Sequence, residues 1–247
     1  MTVLVDCRPL AAYASGHLPE AVHLDPERDL SAPRDDPAVG GRHPLPDAGT
    51  LAAAFGAAGI DSSTFVLAYD EGTGWAARCW WLLRHLGHDG CGTFDLRSYV
   101  GPRRRGGADN ACVGEQALSA PRASPVTFIP RVRTDDMIEA DEIRSRLEDP
   151  SFVLYDARSP ERWRGDAEPL DPVAGRIPGA RNAFFEEPLP TGATDGATLV
   201  AYCGSGVTAC VVLQRLVAAG REDARLYPGS FSEWCRNPSN PIERGNA

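Results

Sequence analysis

The chain contains no uninterrupted apolar stretch approaching the roughly 20 residues that a membrane-spanning helix needs. The opening residues Met1-Thr2-Val3-Leu4-Val5-Asp6 carry neither the basic start nor the long apolar core of a secretory leader. They read as a strand, and a cytoplasmic protein is the expectation. Positive charge is in short supply too: 25 Lys and Arg face 34 Asp and Glu, a formal net charge of -9. That balance argues against a general binder of nucleic acid or anionic membrane. The one basic cluster, Arg103-Arg104-Arg105, is too small to define a polyanion site and reads as a solvated loop. The seven cysteines (7, 79, 91, 112, 203, 210, 235) are odd in number and include no C-x-x-C pair. A disulfide framework, a zinc site and a thioredoxin-type motif all lack support. Each cysteine must be judged by its surroundings, and most fit inert, partly buried apolar positions.

What is present is the composition of an ordinary globular protein, 43% hydrophobic and 24% charged, over 247 residues. That length allows one large domain or two small ones. Self-similarity between the halves favours two. Val3-Leu4-Val5-Asp6-Cys7-Arg8-Pro9, followed by Gly16-His17-Leu18-Pro19-Glu20-Ala21, has a counterpart in Val153-Leu154-Tyr155-Asp156-Ala157-Arg158-Ser159-Pro160, followed by Gly175-Arg176-Ile177-Pro178-Gly179-Ala180. Phe65-Val66-Leu67-Ala68-Tyr69-Asp70-Glu71-Gly72-Thr73-Gly74 resembles Thr198-Leu199-Val200-Ala201-Tyr202-Cys203-Gly204-Ser205-Gly206. Four matched segments in the same order indicate a duplication.

The apolar runs Val3 to Val5, Val66 to Tyr69, Val153 to Tyr155 and Leu199 to Tyr202 suit central parallel strands covered on both faces. Helical patterns at Leu51 to Ala58, Trp75 to Leu86, Ala140 to Leu147 and Val207 to Ala219 supply the cover. Gly87 and Gly220 stand where C-terminal caps belong. The fold class is therefore α/β, with a mostly parallel sheet flanked by helices, built twice. The Pro-rich stretch Ala120 to Pro130 reads as the linker, and Asp135 or Asp136 as a cap for the element after it. Sixty-four positions separate Asp6 from Asp70, but only 47 separate Asp156 from Cys203. The shortfall lies between Asn182 and Thr198, so the second domain is expected to lack one helix and to leave its sheet more exposed.

The segment Leu199 to Ala209 reads as strand, tight glycine-rich loop and helix. At the C-terminal edge of a parallel sheet, that geometry aims several backbone N–H groups and a helix N-terminus into one concavity. A thiol placed first in such a loop is expected to have a depressed pKa, and the same cradle suits a persulfide anion. Gly204 and Gly206 permit the necessary close approach. Two chemistries fit this geometry: sulfur transfer, or phosphate-ester cleavage through a phosphocysteine. The second needs an arginine six residues on, where Ala209 stands. Cys210 fits the core, and Cys7, Cys79, Cys91, Cys112 and Cys235 have no comparable surroundings.

With its Asp-x-Arg segments, its Cys-Gly-Ser-Gly-Val-Thr-Ala loop and Tyr227-Pro228-Gly229-Ser230-Phe231-Ser232-Glu233-Trp234, the chain resembles the tandem rhodanese-type sulfurtransferases. That family comprises thiosulfate and 3-mercaptopyruvate sulfurtransferases. The resemblance implies a non-catalytic rhodanese-like domain over 1–122, a linker over 123–133 and a shortened catalytic domain over 134–247. Asp70, at the position matching Cys203, cannot carry sulfane sulfur. Thiosulfate enzymes carry a Cys-Arg-Lys-Gly-Val-Thr loop, whereas the uncharged Gly204-Ser205 is similar to the mercaptopyruvate type. The resemblance then implies Cys203 as sulfur carrier, with Ser205, His43 and Asp29 relaying protons. Arg162 takes the substrate carboxylate, and Gly204, Gly206, Val207 and Thr208 complete the binding loop. Because Asp29 and His43 precede residue 122, the implied site lies at the domain interface. Leu170 stands where many members have a second substrate arginine, and Arg176 replaces a usual histidine. No metal or organic cofactor is implied. The expected partners are a small sulfur donor, 3-mercaptopyruvate before thiosulfate, and a thiol, cyanide or protein acceptor. A sulfur-relay protein that exchanges persulfide sulfur with protein partners is the alternative reading.

Overall fold

The four apolar runs become the central strands of two parallel sheets in the computed structural model, which describes residues 1–99, 124–191 and 196–246. The Arg103-Arg104-Arg105 cluster, Cys112 and the start of the Pro-rich stretch lie outside the described residues. The chain divides into two compact units. One comprises Met1–Ala32 and Pro46–Arg133, the other Pro33–Leu45 and Thr134–Ala247.

In the first unit β1 (Thr2–Asp6), α1 (Leu10–Ser15), β2 (Val22–His23), α2 (Ala48–Ala57), β3 (Phe65–Asp70), α3 (Trp75–His85) and β4 (Cys91–Asp95) give the parallel order β2-β1-β3-β4. In the second, α4 (Ala140–Ser145), β5 (Phe152–Asp156), α5 (Pro160–Arg164), β6 (Arg181–Asn182), β7 (Thr198–Tyr202), α6 (Ala209–Ala218), β8 (Arg225–Leu226) and α7 (Ser230–Trp234) give β6-β5-β7-β8. The register repeats as well as the order: Asp6 pairs with Tyr69 and Asp156 with Tyr202. Gly87 and Gly220 follow α3 and α6 with φ of +79° and +87°, in the left-handed region that glycine adopts without Cβ strain.

Two expectations are corrected. Neither Asp135 nor Asp136 caps a helix; α4 starts after Glu139, and the Asp136 carbonyl instead accepts the Leu226 N–H, which joins this segment to β8. Among the described residues no helix lies between β6 and β7, yet the second sheet is not more exposed. All five residues of β5 are buried. One face, with Phe152, Leu154, Val200 and Tyr202, packs against Ile138, Ile143, Ile177, Tyr227, Phe231 and Trp234. Side chains from α4, α7 and the 175–180 loop thus cover that face, at about 1.5–3 kcal/mol for each large apolar group fully buried. α6 packs along β7.

The repeated Asp-x-Arg and Gly-x-x-Pro segments prove to be halves of one device. Arg158 Nη2 donates to Asp156 Oδ2 at 2.6 Å and to the Gly175 carbonyl at 2.7 Å, while Tyr202 Oη accepts the Ile177 N–H at 3.2 Å. In the first unit Arg8 does the same with Asp6 and Gly16, at 2.6 and 2.7 Å, and Tyr69 Oη accepts from Leu18 at 3.1 Å. Each clip ties the end of one central strand to the loop that leads into the edge strand. Burial works against the Arg158 charge, but the Asp156 carboxylate overcomes it and holds the guanidinium pKa above its ordinary value. Burial, and then the Asp156 charge, push the Tyr202 phenol upward. Arg158→Ala leaves the Asp156 carboxylate buried and uncompensated. It is expected to cost about 3–5 kcal/mol in the denaturant unfolding of the protein, and a loss under 1 kcal/mol would contradict this account of the clip.

Candidate functional site

β7 ends at Tyr202, and the chain turns through Cys203 to Thr208 before α6 begins. The turn wraps the cysteine sulfur: Cys203 Sγ accepts the N–H groups of Gly206 at 3.2 Å and Ser205 at 3.5 Å. Gly206 has φ +77°, which allows its amide to point inward. α7 pins the turn from below. Ser230 Oγ accepts the Cys203 N–H, and Phe231 and Ser232 donate to the carbonyls of Cys203 and Gly204. Val207 is buried and Thr208 half-buried, and their carbonyls accept the first hydrogen bonds of α6. Backbone amides converging on a buried sulfur at a helix N-terminus favour the negative charge of a thiolate or persulfide.

The first unit carries the same loop with a different occupant. The Asp70 carboxylate accepts the N–H groups of Gly72 at 2.9 Å and Ala76 at 3.1 Å, and the Thr73 hydroxyl at 3.0 Å. Its own side chain fills the anion cradle there.

Residues 33–45 leave the first unit and pack with the second, so His43 belongs to the same compact body as Cys203. Sequence position alone had placed it in the first domain. Its Nδ1 lies 2.7 Å from Ser205 Oγ. The strap is held by α7: the Gly40 N–H donates to Glu233 Oε1 at 2.8 Å and the Arg42 N–H to Ser232 Oγ at 3.0 Å. Tyr227 donates its hydroxyl proton to the other Glu233 oxygen at 2.7 Å. Gly41 has φ +80°, and a Cβ there would meet the Gly229 carbonyl at 2.4 Å, so only glycine lets the strap run this close. The Tyr227–Trp234 signature thereby serves two segments, the Cys203 turn and the His43 strap.

Arg162 stands on α5 with Nε and Nη2 on the two Glu168 oxygens at 3.1 and 2.7 Å, and Nη2 also 3.5 Å from Asp171. Glu168 is shared with Arg158, so the guanidinium near the loop is continuous with the buried clip. Leu170 is exposed and contributes no charge. Arg176 is fully buried and committed elsewhere, to the Glu243 carboxylate, the Gly245 carbonyl and the Trp163 ring 4.0 Å away. Asp29 lies in the first unit, where Arg28 and the Asp25 N–H engage both its oxygens. Arg42 and Asp171 were missed by the sequence reading. The only signal was the pair of glycines just before Arg42.

A scan of family models matches the rhodanese-like domain at residues 1–96 and 139–237, one match per sheet. The chain belongs to the rhodanese family of tandem-domain sulfurtransferases. Among its relatives is a Pseudomonas aeruginosa protein named "Probable 3-mercaptopyruvate sulfurtransferase", 39% identical over 95% of this chain and 86% of the relative. A thiosulfate sulfurtransferase of the same organism is 31% identical over 98% and 90%. The solved 3-mercaptopyruvate sulfurtransferase of Leishmania major superposes with a TM-score of 0.71 at 26% identity, over 96% of this chain and 71% of that one. Among the described residues no helix is long and apolar enough to cross a membrane.

The other described cysteines of this rhodanese chain sit in different electrostatic settings. Cys210 is fully buried within α6 and donates to the Gly206 carbonyl. Burial pushes the Cys91 thiol up to about 12 and the Cys235 thiol up to about 11. Burial, then the neighbouring Cys79, raise Cys7 well above the ordinary thiol range. At pH 8 Cys91 and Cys235 are therefore almost wholly protonated. Native alkylation of both with a neutral haloacetamide is expected to be at least ~100-fold slower than in denaturant. Peptide mass mapping checks this, and equal rates would contradict it.

Proposed function

We propose that the protein moves sulfane sulfur from 3-mercaptopyruvate to a thiophilic acceptor through a persulfide on Cys203. The observation that carries this reading is the buried Cys203 sulfur held by two loop amides, with the Ser205–His43 pair starting two residues on. The chemistry is a two-step displacement. The Cys203 thiolate attacks the donor sulfur, the carbon–sulfur bond breaks, and its electron pair departs with pyruvate enolate. A proton delivered to that carbon completes pyruvate, and Cys203 is left as Cys–S–S⁻. In the second step an acceptor thiolate, or cyanide, attacks the outer sulfur, takes it away and regenerates the thiolate.

The residues divide the work by what they touch. The amides of Ser205 and Gly206 hold the anionic sulfur in both of its states. Ser205 and His43, joined at 2.7 Å, form the proton path to the enolate carbon. Arg162 offers a planar fork to the donor carboxylate. Asp29, whose carboxylate is engaged within the first unit, is assigned no step. Gly204-Ser205 lacks the two cationic side chains of the thiosulfate-type loop, and the loop's likeness to the mercaptopyruvate type supports the keto-acid donor.

Pyruvate release in the presence of an acceptor thiol tests the assignment. Cys203→Ser is expected to abolish it, and full release by that variant would refute the reading. His43→Asn is expected to lower kcat with 3-mercaptopyruvate by about 10²–10⁴-fold. The same variant should have far less effect on loading from inorganic polysulfide, whose leaving group needs no proton on carbon. Equal losses with both donors would remove His43 from proton transfer.

A further inference from the structure

Gly204 has no left-handed φ, and the atoms nearest it are the ends of two arginine side chains. A Cβ at Gly204 would lie 2.8 Å from Arg42 Nη2 and 3.3 and 3.4 Å from the two terminal nitrogens of Arg162. Two guanidinium groups, one from the strap and one from α5, converge on the residue directly after Cys203.

Like charges converge only where anions gather them. Asp171, with a fully buried side chain, contacts Arg42 at 2.5 Å, Arg236 at 2.9 Å and Arg162 at 3.5 Å. Glu168 is shared between Arg158 and Arg162, and Asp156 is spent on Arg158. Arg42, Arg158, Arg162 and Arg236 thus share the carboxylates of Asp156, Glu168 and Asp171 beside the loop. The Arg42 Nη1 is paired with Asp171, while its Nη2 is the atom nearest the Gly204 position. The position is well fixed, because the amides of Gly40 and Arg42 donate to Glu233 and Ser232 and Gly41 lies close against the Gly229 carbonyl.

We propose that Arg42 determines donor specificity: with Arg162 it forms a two-guanidinium clamp over Gly204 that takes the carboxylate of the sulfur donor. Asp171 is the positioning residue that holds the two forks together. The inference rests on the sulfur-transfer reading, and it assigns to the strap the charge that Leu170 and Arg176 do not provide. A carboxylate placed there would accept from the guanidinium forks of both Arg42 and Arg162. It would also set the rest of the donor next to Cys203. A sulfur donor without a carboxylate lacks the planar group that the two forks fit, and gains from Arg42 only its charge.

The test compares wild type, Arg42→Gln and Arg42→Lys with two donors, 3-mercaptopyruvate and inorganic polysulfide, read as initial rates of sulfur loading. With 3-mercaptopyruvate, Arg42→Gln is expected to raise KM by about 10- to 100-fold. Arg42→Lys should raise it less, and loading from polysulfide should fall far less than loading from 3-mercaptopyruvate in the glutamine variant. An unchanged KM in the glutamine variant would overturn the proposal. So would an equal loss with both donors, which would mark Arg42 as a purely structural partner of Asp171. If Arg42→Gln fails to fold, the lysine variant alone decides, because it keeps the charge but loses the fork. Wild type reports separately on the underlying reading: loading from polysulfide but none from 3-mercaptopyruvate would refute that reading, and this clamp with it.

Discussion

The buried pair of Asp156 and Arg158 is the constraint from which the second unit is organised. It closes the C-terminal end of β5 onto the 175–180 loop and, through Glu168, extends to Arg162 and the turn at Cys203. The Arg158 guanidinium also lies 4.0 Å over the Phe231 ring on α7, the helix that pins that turn and the His43 strap. One buried ion pair thereby sets the position of an arginine, of a helix and of the loop between them. Such a pair is a weak source of net stability but a strict source of geometry, because no rearrangement leaves either charge compensated.

The first unit shows the same clip serving another end. Asp6, Arg8, Gly16, Leu18 and Tyr69 reproduce it atom for atom, yet the loop it supports ends in Asp70. There a carboxylate accepts the loop's own N–H and hydroxyl groups, and no thiol stands at that position. The difference between the units is therefore chemical rather than architectural. One side chain after the central strand decides whether the loop amides hold a carboxylate or a cysteine sulfur.

Much of this was legible in the sequence. Continuous apolar runs gave β1, β3, β5 and β7 because strands buried on both faces show no alternation. The glycine-rich turn after Tyr202 carried its own signature. The edge strands β2, β6 and β8 were not legible, since two residues cannot display a period. The strap over residues 33–45 was invisible for a different reason. Its membership in the second unit depends on hydrogen bonds to Ser232 and Glu233, some 190 positions away. Arg42 and Asp171 were hidden by the same long-range packing, and the expected exposure of the second sheet failed because α4, α7 and the 175–180 loop cover it.

The central claim is that Cys203, alone among the described cysteines, holds transferable sulfur. Intact mass after incubation with 3-mercaptopyruvate and removal of small molecules tests it most directly. The account predicts a gain of one sulfur atom per chain, reversed by a reducing thiol, mapped to the Cys203 peptide and absent from Cys203→Ser. No gain in the wild type, or an undiminished gain in the serine variant, would contradict it.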